Sequence, residues 1–309
     1  MSKFYLGYNN HPLGKLSILK TKDGSISLRS AFYQETFHED SGAKSESIIK
    51  FLNPSQIETL TTNNTINILD ICFGIGYNSA SIIDKLMQKG KKVTWRGLEI
   101  DKRPLNIALK NISFRKSWSV YAINFLDSLN KESKWEQNNS HGEILWGDAR
   151  KKIYELPQSL KFDLILLDPF SPKKCPQLWS EEFLNKLALK MKPTGRLITY
   201  CRAAAIRSSL RRAGLELISL RVKSNSTKDW SNGTIAMHPK EKKSTIYPSE
   251  EFRALSKMEE EHLLTRAAIP YRDPKGDSQP SEIIDRRNKE QQESNLESTS
   301  NWKKRWKVL

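Results

Sequence analysis

The stretch I-N-I-L-D-I-C-F-G-I-G-Y-N, from Ile66 to Asn78, runs from an almost wholly apolar segment into a glycine turn, and helical spacing follows it. A short, continuously apolar run fits a strand buried on both faces. Gly74 and Gly76 permit a tight turn and a close backbone approach to a ligand, while the helix beginning near Tyr77 offers N–H groups to a carboxylate. The same alternation continues down the chain. V-T-W-R-G-L-E-I ends at Ile100, G-E-I-L-W-G-D at Asp148, F-D-L-I-L-L-D at Asp168 and R-L-I-T-Y at Tyr200. Between these runs, residues 77–89, 103–111, 180–192 and 203–213 carry helical spacing; Ser180 is the N-cap of the third, and Lys192-Pro193-Thr194-Gly195 is its stop. After Gly214, L-E-L-I-S-L-R-V and T-I-A-M-H are joined too closely for a crossover helix, so they should pair antiparallel. The expected fold class is α/β: a Rossmann-like, mainly parallel, seven-stranded sheet with an antiparallel last hairpin.

That unit occupies residues 51–240. Residues 1–50 carry two alternating runs around Asp23-Gly24, a β-hairpin signal, and form a substrate-side segment. Residues 112–140, with Trp118 and Trp135, read as a helical insertion near the active-site mouth. Residues 241–309 form a charged extension of low periodicity, expected to be partly disordered and ending in W-K-K-R-W-K-V-L.

The chain has 309 residues, 51 Lys and Arg against 35 Asp and Glu, and a net charge of +16. Such an excess attracts phosphates, although solubility alone also accounts for it. Cys72, Cys175 and Cys201 stand singly with no metal-ligand spacing, and the histidines show none either, so no metal site is expected. No apolar run approaches the roughly 18 residues of a membrane span and no signal peptide is visible, so a cytoplasmic protein without membrane contact is expected.

In open α/β sheets, ligands bind beyond the carboxyl ends of the strands. Glu99 ends the second strand, where a carboxylate accepts both ribose hydroxyls of an adenosine; Asp148, after the third, can take the exocyclic amine of the adenine. Singly, each is as readily a solvated strand end or a helix cap. Together, and with Ser79 where the third glycine of a dinucleotide fingerprint would stand, they favour S-adenosylmethionine over NAD. The fourth strand ends in L-L-D-P-F-S-P-K-K-C-P-Q-L-W. There Asp168 is placed to orient an amine and take its proton, Phe170 to stack on a planar group, and Lys173 and Lys174 to hold phosphate. A capped, rigid turn is the structural alternative.

With F-Y-Q-E-T-F-H-E-D-S-G-A-K-S-E (Phe32 to Glu46), C-F-G-I-G-Y-N, D-P-F-S-P-K-K-C-P-Q-L-W, L-I-T-Y-C-R-A-A-A-I-R-S-S-L-R-R-A-G-L, G-T-I-A and I-P-Y-R-D-P (from Ile269) in this order, the chain resembles the methyltransferase of the tRNA 5-methylaminomethyl-2-thiouridine biosynthesis family (MnmC-type) over most of residues 20–290. It looks like the stand-alone form, without the FAD oxidase domain. The resemblance implies a Rossmann-like methyltransferase fold and methyl transfer from S-adenosyl-L-methionine to the aminomethyl group at C5 of a tRNA wobble uridine. It implies Gly74, Gly76, Glu99 and Asp148 as cofactor contacts, with Asp70, Asn78 and Ala149 completing that set, and Asp168 as the residue facing the amine. Phe170, Lys173, Lys174, His38 and Arg202 are the substrate-binding candidates, with Arg207, Arg211 and Arg212 as further tRNA contacts. The partners implied are tRNA and a separate oxidase or other upstream enzyme that supplies the aminomethyl uridine. Three departures stand out: Lys228 is the only basic residue between Ser224 and Gly233, Pro169 follows Asp168 in place of a small residue, and Cys175 replaces a frequent Asn. Two other classes remain open, a polyamine (aminopropyl) synthase-like enzyme and a non-catalytic RNA-binding protein on the same fold.

Overall fold

The computed structural model describes residues 11–60, 65–221, 231–239 and 251–307. Two sheets are present among them. The smaller is antiparallel: β1 (Leu16–Lys20), β2 (Ile26–Ser30) and the two-residue β3 (Glu35–Thr36). The larger has nine strands: β4 (Thr65–Ile71), β5 (Lys92–Glu99), β6 (Lys134–Gln137), β7 (Ser140–Trp146), β8 (Phe162–Leu167), β9 (Met191–Thr199), β10 (Glu216–Leu220), β11 (Thr234–Met237) and β12 (Phe252–Ala254). Their order is β12-β10-β11-β9-β8-β4-β5-β7-β6. The five strands β9, β8, β4, β5 and β7 run parallel, and β11 inserts antiparallel between β9 and β10. This is the Rossmann-like methyltransferase layout expected from the apolar runs. All six residues of β8 are buried, as a strand covered on both faces requires.

The two additional edge strands were not anticipated. β6 comes from the segment read as wholly helical: Lys134–Gln137 folds back on β7 through Asn138 and Asn139, both at positive φ, where asparagine is tolerated. The helical part of that segment, Val120–Glu132, buries Ala122, Phe125, Leu126 and Leu129 and packs against the helix Tyr77–Gln88. None of residues 112–140 lines the cavity described below, so the insertion serves the core and not the mouth. The expected helical stop at 192–195 also moves. The helix Glu181–Lys190, capped by Ser180 as expected, ends at Lys190, and Lys192 to Gly195 lie inside β9 at a break in its register with β8. Pro193 is accommodated there because no ladder hydrogen bond is required of it.

The C-terminal extension is folded where it is described. It contains β12 and the helices Lys257–His262, Pro280–Glu293 and Thr299–Arg305, and it buries Ile283 and Trp302 completely. What its sequence lacks in apolar periodicity is supplied by charge. Arg207, 2% exposed, donates to Glu259 (2.8 Å), Ser219 and Thr234, and Arg253 donates to the other Glu259 oxygen at 2.5 Å. Arg211 pairs with Glu260, and Arg212 with Glu181. Of the arginines expected to meet tRNA, Arg207 and Arg211 therefore hold the extension to the domain, and Arg212 pairs within the domain. Among the described residues, no helix is long and apolar enough to cross a membrane.

Candidate active site

Strand order reverses between β4 and β8, so their carboxyl ends diverge around a crevice. Ile71 of β4 lies in register with Leu167 of β8, and the Asp168 N–H donates to the Ile71 carbonyl at 3.2 Å. The glycine turn and Asp168 thus leave the sheet side by side.

The turn is held from two directions. Gly74 (φ 57°) donates its N–H to Glu99 Oε2 at 2.8 Å, and Glu99 Oε1 accepts from Ile100 (2.6 Å) and Asp101 (2.8 Å). Gly76, at φ 95°, starts the helix Tyr77–Gln88, and a β-carbon there would meet Phe73 Cζ at 2.7 Å. From the second residue of that helix, Asn78 Nδ2 donates to Asp168 Oδ2 at 2.7 Å. A chain of contacts from Glu99 through the turn to Asp168 follows. Behind it, Trp95 Nε1 donates to Ser79 Oγ (2.7 Å), and Ser79 Oγ donates to Asp70 Oδ2 (2.5 Å). Trp95 is fully buried and fits because Gly97 leaves room for it: a β-carbon there would stand 2.2 Å from the indole.

A cavity of about 530 Å³ opens here, within the usual range for a small-molecule site. Of the expected cofactor residues, Gly74, Asn78, Glu99, Asp148 and Ala149 line it. Asp70 and Gly76 do not. Asp70 is 1% exposed and braces the turn from behind through Ser79, and Gly76 shapes the turn through its backbone. On the other side, Asp168, Phe170 and His38 line the cavity, whereas Lys173, Lys174 and Arg202 lie outside it. The two lysines are exposed on the loop that begins at Asp168, and Arg202 donates to the Ser231 carbonyl at 2.6 Å. Lys228 lies outside the described residues.

The N-terminal segment forms the facing wall, and much of what the sequence did not single out sits there. Tyr33 stacks on Phe170 (centroids 4.3 Å apart) and Phe37 meets its edge at 5.0 Å, so one face of Phe170 is already covered. Glu35 accepts from the Ser171 N–H at 2.9 Å and from its hydroxyl. Glu46 Oε1 accepts from Lys50 (2.8 Å) and its Oε2 from the Glu39 N–H (2.8 Å). The signal for this pair was present in the sequence as Glu46 and Lys50, four residues apart on a helical turn.

Charge divides this cavity from the rest of the molecule. Its lining includes Glu35, Glu39, Glu46, Glu99, Asp101, Asp148 and Asp168 against a single arginine, Arg29, in a chain of net charge +16. Burial, and next the charge of Glu46, push the Asp168 carboxyl well above its usual pKa, opposed by the Asn78 hydrogen bond and Lys50. Burial raises Glu99 to about 6 against its three backbone donors, and raises Asp70 to about 7 against Ser79. Burial and Lys50 lower His38 to about 3, so its imidazole is neutral at physiological pH; Ser27 Oγ lies 3.1 Å from its Nδ1.

Residues 113–229 match a family described as S-adenosyl-L-methionine-dependent methyltransferase. The solved structure of MnmC2 from Aquifex aeolicus superposes with a TM-score of 0.74 at 28% sequence identity, covering 91% of this chain and 86% of that one. The chain is thus similar to S-adenosyl-L-methionine-dependent methyltransferases in that segment and in its fold. Within them it is similar to the MnmC methyltransferase, as the motif order implied. A bifunctional MnmC of Campylobacter hominis is 28% identical over 163 residues, 51% of this chain and 24% of that protein. An uncharacterized protein of Methanocaldococcus jannaschii is 30% identical over 197 residues, 62% of this chain and 52% of its own length. The chain thus spans about half or less of the length of these curated relatives. Its cofactor, S-adenosyl-L-methionine, fits the donor set of the cavity. Glu99, with three backbone donors on its two oxygens, keeps one acceptor site on Oε2 for a ribose hydroxyl, Asp148 faces the same cavity, and an acidic wall suits a sulfonium.

Proposed function

We propose that this chain transfers a methyl group from S-adenosyl-L-methionine to the aminomethyl group at C5 of a tRNA wobble uridine, giving 5-methylaminomethyluridine. The observation that carries the reading is the acidic cavity inside a strongly basic protein. An ammonium and a sulfonium are drawn inward while a polyanion is drawn to the outside. The bound cofactor supplies an electrophilic methyl on a positively charged sulfur.

The chain's own residues do the rest. The acceptor amine arrives largely as an ammonium and must lose a proton to expose its lone pair. Asp168, with its raised proton affinity, takes that proton and hydrogen-bonds the neutral amine; the N–C bond would form as the S–C bond breaks, S-adenosylhomocysteine would leave as a neutral thioether, and the methylated product would carry the positive charge as a secondary ammonium. Asn78 fixes which Asp168 oxygen faces the acceptor by donating to the other. Glu46 strengthens the pull on the ammonium, and Lys50 limits it by pairing with Glu46. Tyr33, Phe37 and Phe170 form an aromatic wall beside the acceptor and narrow the water-accessible volume. Lys173 and Lys174, exposed on the loop that begins at Asp168, take tRNA phosphates. An upstream enzyme, such as a separate oxidase, has to leave the aminomethyl group on the uridine.

The acid-rich cavity also favours a second reading, a polyamine synthase-like enzyme, because polyamines are cations too. The test separates the two. Purified protein with labelled S-adenosyl-L-methionine and tRNA bearing 5-aminomethyluridine is expected to label a nucleoside that digests to 5-methylaminomethyluridine. Absence of label in tRNA, with turnover of decarboxylated cofactor and putrescine instead, would replace the first reading by the second.

A further inference from the structure

The I-P-Y-R-D-P motif at Ile269 lies far from the glycine turn in sequence, and none of its residues lines the cavity. One of them nevertheless reaches it through an intermediate. Arg150 forks onto Asp148, with Nη2 to Oδ2 at 2.7 Å and Nε to Oδ1 and Oδ2 at 3.2 and 3.1 Å, while its backbone N–H donates to Oδ1 at 2.9 Å. Its remaining nitrogen, Nη1, points away from the cavity, onto Asp273 Oδ2 at 2.7 Å and the Ser278 carbonyl at 3.0 Å. The Asp273 side chain is 0% exposed. Its Oδ1 accepts from the Ser278 N–H (3.0 Å), and its own N–H donates to Glu182 Oε2 (2.7 Å).

We propose that Asp273 is a positioning residue for the cofactor: through Arg150 it fixes the orientation and the charge of Asp148, so that the C-terminal extension takes part in recognising the adenine amine. The inference rests on the reading of Asp148 as the acceptor for that amine. The charge count gives the reason. Asp148, Arg150 and Asp273 together carry one net negative charge, which leaves Asp148 a willing acceptor. Without Asp273 the pair is neutral, the guanidinium draws the Asp148 oxygens to itself, and one face of Arg150 loses its buried acceptor. Asp273 holds this place firmly. Burial raises its pKa, but the Arg150 and Ser278 hydrogen bonds outweigh burial and keep the carboxyl ionised. The extension does not depend on this contact for its attachment. Arg207 with Glu259, Arg211 with Glu260 and Arg272 with Glu181 anchor it independently.

The test uses two ligands that differ at one position of the base: S-adenosylhomocysteine and S-inosylhomocysteine, in which a carbonyl replaces the 6-amino group. Calorimetric titration of both into the wild type, Asp148→Asn, Asp273→Asn and Arg150→Lys gives a preference ratio for each. The wild type is expected to prefer the adenosyl ligand, and the preference is expected to fall about tenfold in D273N and D148N, the scale of one hydrogen bond to a charged group. Affinity for the inosyl ligand should hardly change in D273N. R150K, which keeps the charge but loses the fork, should lose the preference as well. A D273N protein that keeps the wild-type ratio, or that weakens both ligands equally, overturns the inference and leaves Asp273 a structural residue only. An unchanged ratio in D148N itself overturns the reading of Asp148, and the inference falls with it.

Discussion

The two halves of the cavity differ in how their carboxylates are held. In the cofactor half, Glu99 accepts from three backbone N–H groups, and Asp148 from a backbone N–H and a forked guanidinium. In the acceptor half, Asp168 has one side-chain amide and the repulsion of Glu46. The first arrangement fixes acceptors in advance for a ligand that returns unchanged in shape at each turnover. The second leaves a carboxyl undersatisfied, with a raised proton affinity, so that it can exchange a proton with what it binds.

The largest expected effect separates the halves by their kinetics. Asp168→Asn should lower the rate of methyl transfer about 10²- to 10⁴-fold, the usual worth of a positioned proton acceptor. Its S-adenosylhomocysteine affinity should stay close to wild type. The raised Asp168 pKa also means that wild-type activity should climb with pH as this carboxyl ionises. D168N should lose that component of the pH–rate profile, while His38, neutral above about pH 3, should contribute none of it.

Next in size is an effect on stability that touches neither half. Arg207→Met removes one of the two arginines paired with the buried Glu259, leaving Arg253, and should cost about 1.5–3 kcal/mol in denaturant unfolding, the scale of a lost hydrogen bond to a charged group. Burial raises the Glu259 pKa, but the charge and hydrogen bond of Arg207 outweigh it, so the folded value lies below the unfolded one. The stability this confers is therefore complete above the ordinary carboxylate range and is lost as pH falls through the lowered value. Glu259→Gln should flatten that acid limb.

Glu99→Gln tests the cofactor half. A glutamine can accept at only one oxygen, so its amide must face either the Gly74 N–H or the Ile100 and Asp101 pair. Cofactor affinity should fall about tenfold or more by calorimetry, with turnover at saturating cofactor much less affected. The smallest effect is expected at Tyr33→Leu. Removing the stacked partner of Phe170 should raise KM for the acceptor a few-fold, on the scale of about 0.5–1.5 kcal/mol for an aromatic pair, at nearly constant kcat.

How much of this was legible in the sequence follows from the range of the forces involved. The parallel strands and the glycine turn were readable because they are local patterns: continuous apolar runs, and glycines where φ is positive. That Asp168, Glu99 and Asp148 would gather at one cavity was readable because strand ends are where such folds form ligand crevices. Asp70, expected among the cofactor contacts, lies outside the cavity lining and accepts from Ser79, because sequence position alone does not show which face of a strand end a carboxylate takes. The arginines of the helix Ala204–Arg212 read as tRNA contacts because the acidic partners of Arg207 and Arg211, Glu259 and Glu260, lie some fifty residues away. The Asn138-Asn139 hairpin was hidden in a segment that is mostly helical, and the edge strand it makes is four residues long.

One measurement bears most directly on the claim that the two halves share one ligand, with its reacting carbon beside Asp168. A cofactor analogue with an ammonium group in place of the sulfonium methyl should bind the wild type more tightly than S-adenosylhomocysteine does. In D168N that advantage should shrink about tenfold while affinity for S-adenosylhomocysteine is unchanged. An advantage that survives D168N intact would place the transferable methyl away from Asp168 and contradict the account.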